Sequence, residues 1–205
     1  MGRTRFLLAT CACLLVLSCG APDVGQQGAE GDASVQVPPL ESYSGIGGDF
    51  ALADQHGDSF SLVSLRGRPA VLFFGYSYCP DICPTTLSKM NQVHEILGTE
   101  AADLATLFIT VDPERDTIDR LAEYLGYFGG GVIGLRGTAQ EIDDVIGRYG
   151  GHYALRREAG RPDYFVDHST TTYLIDQEGK VRFLFGQSDG PELMAAVTRQ
   201  LLSPP

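Results

Sequence analysis

The chain has few basic residues for its acidic content. Its 205 residues include 15 lysines and arginines against 26 aspartates and glutamates, a formal net charge of -11. This charge argues against binding to nucleic acid and against adhesion to an anionic bilayer. The chain also lacks an internal repeat, a nucleotide-binding glycine loop and a long hydrophobic run. The run from Phe6 to Leu17 is shorter than the roughly 20 residues that a transmembrane helix needs, which disfavours a transmembrane anchor.

The N-terminal segment has the pattern of a secretion signal. Arg3 and Arg5 precede the apolar run, and Ser18-Cys19-Gly20 follows it. This order predicts a signal peptide over residues 1–18. Val16-Leu17-Ser18-Cys19 resembles a bacterial lipobox, whose cysteine is acylated and becomes the first mature residue. Leu17 fits less well than Ala or Ser at the second place, so cleavage elsewhere, or retention as a short anchor, stays open.

Lipidation at Cys19 would account for the cysteine count. Cleavage removes Cys11 and Cys13, acylation occupies Cys19, and only Cys79 and Cys83 remain as free thiols. Residues 19–44 are rich in Gly, Ala, Asp, Gln, Ser and Pro, and we predict a lipid-anchored flexible linker there. Its r.m.s. span of roughly 25–30 Å would let the domain search the membrane surface. The predicted location is therefore the cell membrane, facing the periplasm or extracytoplasmic space, which suits a partner embedded in the same membrane.

Residues 45–205 are enough chain for a single domain. Their hydrophobic pattern predicts alternating strands and helices. The predicted elements are a hairpin around Asp54–Asp58, buried strands at 70–74 and 104–111, helices carrying Leu87 to Leu97 and Ile118 to Phe128, a helix opened by a Thr138–Glu141 capping box, a hairpin of 172–175 with 181–185, and a closing helix after Pro191. Asp116 is the predicted cap of the second helix. This order predicts an α/β fold of the thioredoxin-like type, with a central mixed sheet flanked by helices and an added N-terminal hairpin.

Cys79 and Cys83 lie where the first buried strand gives way to a helix. Pro84 suits the first helical position and makes Cys83 the predicted cap, so both sulfurs are expected near the helix N-terminus, where thiolates are stabilised. A thioredoxin dithiol has two intervening residues and this pair has three, which lets both sulfurs face a common outside point. The spacing alone does not choose between metal binding and redox exchange. A purely structural disulfide is a further alternative, although so tight a loop gains less from cross-linking than a long one.

His168 precedes the second hairpin, where a thioredoxin-like chain returns beside its active-site loop. Taken alone, it is typical of a hydrogen-bonded loop histidine. With the two cysteines it would complete a site of two sulfurs and one nitrogen. This donor set favours copper, because Cu(I) is stable with three ligands. Zinc would normally take a fourth protein ligand, and Asp81 or Asp167 would have to supply it.

Three sequence blocks make the assignment more specific. They are Phe74–Leu87, Thr110–Thr117, and Asp167–Ser169 followed by Tyr173–Asp176. In these blocks, and over essentially the whole chain from about Gly45, the sequence resembles the Sco/SenC family of copper proteins that assist cytochrome c oxidase assembly. The resemblance implies that Cys79, Cys83 and His168 bind one copper ion, as Cu(I) or Cu(II).

The sequence departs from the family at two places. Tyr78 stands where many relatives have a histidine before the first cysteine, and because that histidine is not a motif ligand we expect little effect. The lipobox-like segment stands where many relatives have a transmembrane helix, which puts the manner of anchoring in doubt.

The leading hypothesis is a metallochaperone that receives copper from an upstream donor. The resemblance implies delivery to the dinuclear copper site in cytochrome c oxidase subunit II, with another copper enzyme as the alternative recipient. The rival hypothesis is a thiol-disulfide oxidoreductase that reduces the recipient's cysteines, with Cys79 as nucleophile and Cys83 as its partner. A peroxidase is a weaker alternative, and no other enzymatic activity is predicted.

Acidic residues near the predicted site have two interpretations. Asp81 and Asp167 are candidates for tuning the copper site from beside the ligands, or are simply solvated. The segment Asp112–Arg115 would lie at the same rim as the cysteines. It would either contact a partner or support the ligands, or it is an ordinary strand end with Asp116 capping the next helix.

Overall fold

The computed structural model describes residues 36–129, 131–157, 160 and 163–202. Nine strands and four α-helices make up the fold of these described residues. The strands are β1 (Ala51–Asp54), β2 (Ser59–Ser61), β3 (Ala70–Gly75), β4 (Ala105–Thr110), β5 (Val132–Arg136), β6 (Tyr153–Arg157), β7 (Tyr164–His168), β8 (Thr172–Ile175) and β9 (Val181–Phe185). The helices are α1 (Ile82–Leu97), α2 (Ile118–Gly126), α3 (Ala139–Arg148) and α4 (Pro191–Leu202), with short 3-10 helices at Leu62–Leu65 and Gly98–Asp103.

The main sheet has seven strands in the order β2-β1-β5-β4-β3-β8-β9. Its central strands β3, β4 and β5 are parallel, and the outer strands join antiparallel. Every residue of β3 and β4 is buried, as expected of continuous apolar runs in the middle of a sheet. In their register Gly75 lies opposite Thr110, so the segments that follow the two strands start at the same edge.

Helices cover both faces of this sheet. Val71 packs in one apolar cluster with residues of α1 and α4, whereas Leu72 packs in the other cluster with residues of α2 and α3. Because neighbouring residues of a strand point to opposite faces, the two helix pairs lie on opposite sides. This arrangement confirms the predicted α/β fold with a central mixed sheet flanked by helices.

Several predicted elements are present where the sequence indicated. The N-terminal hairpin forms between β1 and β2, and β8 and β9 pair across the second predicted turn. The capping box at α3 is complete, since the Thr138 hydroxyl accepts from the Glu141 amide and the Glu141 carboxylate accepts from the Thr138 amide. Helix α4 begins at Pro191.

The start of α1 differs from the prediction. The helix begins at Ile82 with Asp81 at the N-cap position, so Cys83 is its second residue and Pro84 its third. Assigning Cys83 as the cap and Pro84 to the first position was therefore wrong. Proline is tolerated throughout the first helical turn because those amides have no partner within the helix. The correction places Cys83 in regular secondary structure.

Asp116 does not cap α2, which corrects a second prediction. Thr117 is the N-cap, and its side chain accepts from the Arg120 amide. The Asp116 carboxylate points into the protein, where it accepts hydrogen bonds from Ser77 and Thr110. The preference of aspartate for N-cap positions is a local rule. Here the carboxylate makes tertiary hydrogen bonds instead of capping the helix.

Strand β5 and the separate two-stranded sheet of β6 and β7 were not predicted. Gly134 interrupts the apolar pattern of β5, but a Cβ at that position would lie 2.3 Å from Leu125 Cδ1. The glycine therefore allows α2 to approach the sheet closely. The β6–β7 pair runs antiparallel from Tyr153 opposite His168 to Arg157 opposite Tyr164.

The predicted signal peptide, the lipidation site Cys19 and the linker as far as residue 35 lie outside the described residues. The last part of the predicted linker makes defined contacts with the domain. Leu40 packs against the cluster of α1 and α4, and the Glu41 backbone exchanges hydrogen bonds with Arg182. Residues 38–44 thus differ from a flexible tether, because they make single apolar contacts and hydrogen bonds with the domain that show no periodicity in the sequence. Within the described ranges, none of the helices combines the length and hydropathy that crossing a bilayer requires.

Candidate metal centre

The fold brings together the three residues that the sequence predicted as copper ligands. Cys79 lies in the loop between β3 and α1, Cys83 in the first turn of α1, and His168 at the end of β7. One ligand atom from each of the three lies within 4.8 Å of the other two. The Cys83 Sγ is 3.5 Å from the His168 Nε2, although 85 residues separate them in the chain.

The buried ligand, Cys83, is fixed by close packing on the end of β3. Its side chain is 0% exposed. A Cβ added to Gly75 would lie 2.8 Å from the Cys83 Sγ and 2.9 Å from atoms of both Phe73 and Phe108. Since real Cβ atoms essentially never approach so closely, the space beside Gly75 belongs to the sulfur.

The geometry of His168 defines which of its nitrogens is free. Its Nδ1 lies 2.9 Å from the Ser169 carbonyl oxygen, which only accepts hydrogen bonds, so Nδ1 carries the proton. In the neutral imidazole the lone pair is then on Nε2, the atom that faces Cys83. The imidazole ring packs edge-on against Tyr76 with centroids 5.8 Å apart, and the Tyr76 hydroxyl accepts from the Val166 amide at 3.2 Å. These contacts orient the ring as metal-binding histidines require.

The two thiols share one proton unequally. The pKa of Cys79 is lowered to about 3, chiefly by the hydrogen bond with Cys83 and further by His168 and the amides of Asp81 and Cys83, although partial burial opposes the shift. The pKa of Cys83 is raised, because its thiol is hydrogen-bonded to Cys79, is buried and lies beside a negative charge. The Cys83 amide also points at the Cys79 Sγ at 3.5 Å, as expected at a helix N-terminus. Cys79 is therefore the thiolate, and it is the half-exposed member of the pair.

This donor set fits copper. Two soft sulfurs and one imidazole suit Cu(I), which accepts three ligands, whereas a structural zinc site normally has four. In the part of the chain that the structure describes, no carboxylate joins the Cys79–Cys83–His168 group.

Asp81 and Asp167, the two acidic candidates, lie close in sequence to the ligands, but neither belongs to the Cys79–Cys83–His168 group. Asp81 is at the N-cap position of α1 without a capping hydrogen bond. Asp167 forms an ion pair with Arg156 on an exposed face of the small sheet, because it alternates with His168 along β7. A role for either residue beside the metal stays a prediction.

An arginine beside the loop was noted in the sequence only as part of a rim segment. The Arg115 guanidinium lies 3.6 Å from the ring centroid of Tyr164 and 4.8 Å from that of Tyr78. It also pairs with the buried carboxylate of Asp112, which accepts from the Tyr164 hydroxyl at 2.9 Å. Arg115 therefore links the residue before Cys79 to β7, the strand that carries His168. No spacing rule would have indicated this stacking.

Known proteins that resemble this chain include a solved structure with copper bound, as the donor set of the site would suggest. The SCO1/SenC family model matches residues 39–203. A SCO2-like protein of Rickettsia conorii is 40% identical over 194 residues, covering 94% of this chain and 91% of the relative. The mitochondrial SCO1 homolog of Homo sapiens is 37% identical over 145 residues, which cover 70% of this chain and 48% of the human protein. The solved structure of Bradyrhizobium japonicum ScoI with copper bound is 38% identical with a TM-score of 0.70, covering 76% of this chain and 99% of that one.

Proposed function

The chain belongs to the SCO1/SenC family, and from that premise we propose that it is a copper metallochaperone for cytochrome c oxidase. The observation that carries the proposal is the meeting of Cys79, Cys83 and the His168 Nε2 within 4.8 Å. The solved relative from Bradyrhizobium japonicum, 38% identical, has copper bound. The cargo is one copper ion, and the proposed recipient is the dinuclear copper site of subunit II, which must be filled during assembly of the oxidase.

The protonation states of the ligands suit reversible copper capture. Cys79 is already a thiolate, so of the two thiols only that of Cys83 must lose a proton when copper arrives. Metal ligands must be deprotonated, and a site that is nearly ready binds with little proton release. Cys79 is half-exposed whereas Cys83 is buried, so a docked recipient would replace the Cys79 sulfur first.

The proposed location is the outer side of the membrane. A lipid on Cys19 and the linker that follows would hold the domain near an oxidase in the same membrane, and an upstream donor would supply the copper. This part rests on the lipobox-like sequence. The net charge of -11 offers little attraction to an anionic bilayer and leaves membrane attachment to the lipid.

A second function, thiol-disulfide exchange, is favoured by one observation, the exposure and ionisation of Cys79. The Cys79 thiolate would attack a recipient's disulfide, and Cys83 would then displace the recipient. The pair would give up two electrons, and the Cys83 proton would pass to the leaving thiol. However, intrinsic nucleophilicity falls as pKa falls, and the best attacking thiol has a pKa near ambient pH. A pKa of about 3 for Cys79 therefore suits a metal ligand better than an attacking thiol.

The two functions make different demands on His168. Copper transfer from loaded protein to the metal-free copper domain of subunit II is expected to collapse in His168→Ala, because one of three ligands is lost. Reduction of a disulfide by the same variant is expected to persist. Undiminished copper transfer by His168→Ala would contradict the chaperone proposal, and His56→Ala, in the exposed turn between β1 and β2, is the matched control.

A further inference from the structure

Asp116 is a fully buried carboxylate that the proposed copper site does not use directly. It is 0% exposed, and burial raises its pKa, whereas the hydrogen bonds from Ser77 and Thr110 oppose that shift. The arginines on either side pair elsewhere, Arg115 with Asp112 and Arg120 with Glu123. Burying a carboxylate lowers the stability of the fold unless hydrogen bonds compensate for the lost hydration. Since Thr117 already caps α2, helix capping does not explain the residue.

The hydrogen bonds of Asp116 connect the cysteine loop to the sheet. Its Oδ2 accepts from the Ser77 amide at 3.0 Å and from the Thr110 hydroxyl at 2.6 Å, and its Oδ1 accepts from the Ser77 hydroxyl at 2.6 Å. Thr110 is the last residue of β4, and Ser77 lies two residues before Cys79. Hydrogen bonds to a charged acceptor are the strong ones. The carboxylate thus ties the start of the loop to the end of a buried strand.

The segment that carries Asp116 is itself held firmly. Arg136 donates from its Nε to the Asp116 carbonyl oxygen at 3.0 Å and from its Nη2 to the Pro113 carbonyl oxygen at 2.9 Å. The Arg120 Nε donates to the Ser77 hydroxyl oxygen at 3.1 Å, which fixes the same loop residue from α2. Asp116 is therefore a rigid support for the loop.

The three ligands differ in how their backbones are supported. Cys83 lies in α1 and His168 in β7, whereas Cys79 lies in the loop between two elements. The Cys79 amide donates to the Tyr76 carbonyl oxygen at 3.2 Å, and Arg115 stacks on Tyr78. The side-chain hydrogen bonds that hold this loop to the sheet are those between Ser77 and Asp116. Cys79 is thus the ligand whose position depends most on contacts outside regular secondary structure.

We propose that Asp116 is a positioning residue, which holds the Cys79 sulfur at the distance from Cys83 and His168 that copper binding requires. The inference rests on the proposed copper function. Outer residues that orient metal ligands typically affect affinity by 10–100-fold when they are replaced. We therefore expect about 10–100-fold weaker copper binding in Asp116→Asn, which keeps the shape of the side chain and removes its charge.

The control is a second buried aspartate remote from the site. Asp176 is 6% exposed, and its Oδ1 accepts from the amides of Glu178 and Lys180 at 2.9 Å, in the turn between β8 and β9. This turn lies beyond Ile175, which pairs with Ala70 at the opposite end of β3 from the cysteine loop. Asp176→Asn should lower stability as Asp116→Asn does, without changing the copper site.

Two measurements decide the proposal. The first is the copper affinity of the folded variants. The second uses metal-free protein with glutathione: one glutathione disulfide takes two electrons from Cys79 and Cys83 and leaves as two thiols, so the equilibrium reports how closely the sulfurs are held. Asp116→Asn should weaken copper binding and change the equilibrium constant with glutathione. Asp176→Asn should change neither quantity. A folded Asp116→Asn that equals the unmodified protein in both would overturn the proposal.

Two further arms keep the test decisive. Ser77→Ala deletes only the hydroxyl bond and should shift both results in the same direction by a smaller factor, so it replaces Asp116→Asn if that variant does not fold. An unchanged result in Ser77→Ala would then overturn the proposal. If the unmodified protein does not bind copper, the proposed function fails, and the glutathione equilibrium still tests Asp116.

Discussion

Replacing Gly75 by alanine would put a methyl group where the Cys83 sulfur lies. The new Cβ would be 2.8 Å from that sulfur and 2.9 Å from ring atoms of Phe73 and Phe108. An ordinary contact needs about 3.5 Å or more, so the sulfur must move by more than about half an ångström. Because β3 is buried along its whole length, the other neighbours leave little room for that movement.

The expected cost of Gly75→Ala follows from overpacking. Inserting a methyl group into a packed core typically costs about 1–3 kcal/mol. In a domain of this size each kcal/mol lowers the melting temperature by about 2–4 °C. Copper binding should weaken as well, since the displaced atom is a ligand. Thermal unfolding of the reduced protein, with and without copper, measures both effects, because the stabilisation by a ligand reports its affinity.

Gly147→Ala is the matched control for this experiment. Gly147 lies in α3, and no atom would be within 4 Å of an added Cβ. Alanine is the better helix former, so this variant should be stabilised by about 0.5–1 kcal/mol with copper binding unchanged. If Gly75→Ala proved as stable as the unmodified protein and bound copper equally well, the packing described for Cys83 would be refuted.

Two other predictions concern Cys79 and the support of His168. Because the pKa of Cys79 is about 3, its thiolate fraction is constant above about pH 5, so alkylation of metal-free reduced protein by iodoacetamide should be nearly independent of pH between 5 and 7. An ordinary thiol would react roughly a hundredfold faster at the higher pH, and that result would contradict the assignment. Tyr76→Phe removes the acceptor of the Val166 amide and should cost about 1–3 kcal/mol in urea unfolding, because it leaves a buried donor unpaired. The phenylalanine ring still packs against His168, so only the hydrogen bond from the Val166 amide is lost. An unchanged free energy of unfolding would contradict a stabilising role for this hydrogen bond.

The sequence predicted best where one local rule determined the structure. The apolar runs of β3 and β4 are long enough to be recognised as buried strands, and both formed as expected. The Thr138–Glu141 capping box marked the start of α3 because its hydrogen bonds join residues three apart. The ligand set came from motif order and family resemblance, and the structure brings its members together.

Long-range contacts explain what the sequence did not predict. Asp116 has the chemistry of a cap, but its donors come from Ser77 and Thr110, and no local pattern indicates so distant a partner as Ser77. Gly134 interrupts the apolar sequence pattern of β5, so the pattern did not predict a strand. The glycine is needed there because Leu125 of α2 approaches too closely for any side chain. The order of residues 38–44 depends on single contacts with Arg182 and Gln200, which periodicity does not detect.

The most direct test of the copper site is an anaerobic titration of the reduced protein with Cu(I) against a competing chelator. Cys79→Ser and His168→Ala would be run beside it, with His56→Ala as the control. The account predicts tight binding of one copper ion that weakens strongly in the first two variants and is unchanged in the control. Weak binding, or binding indifferent to His168, would contradict the account and favour dithiol exchange.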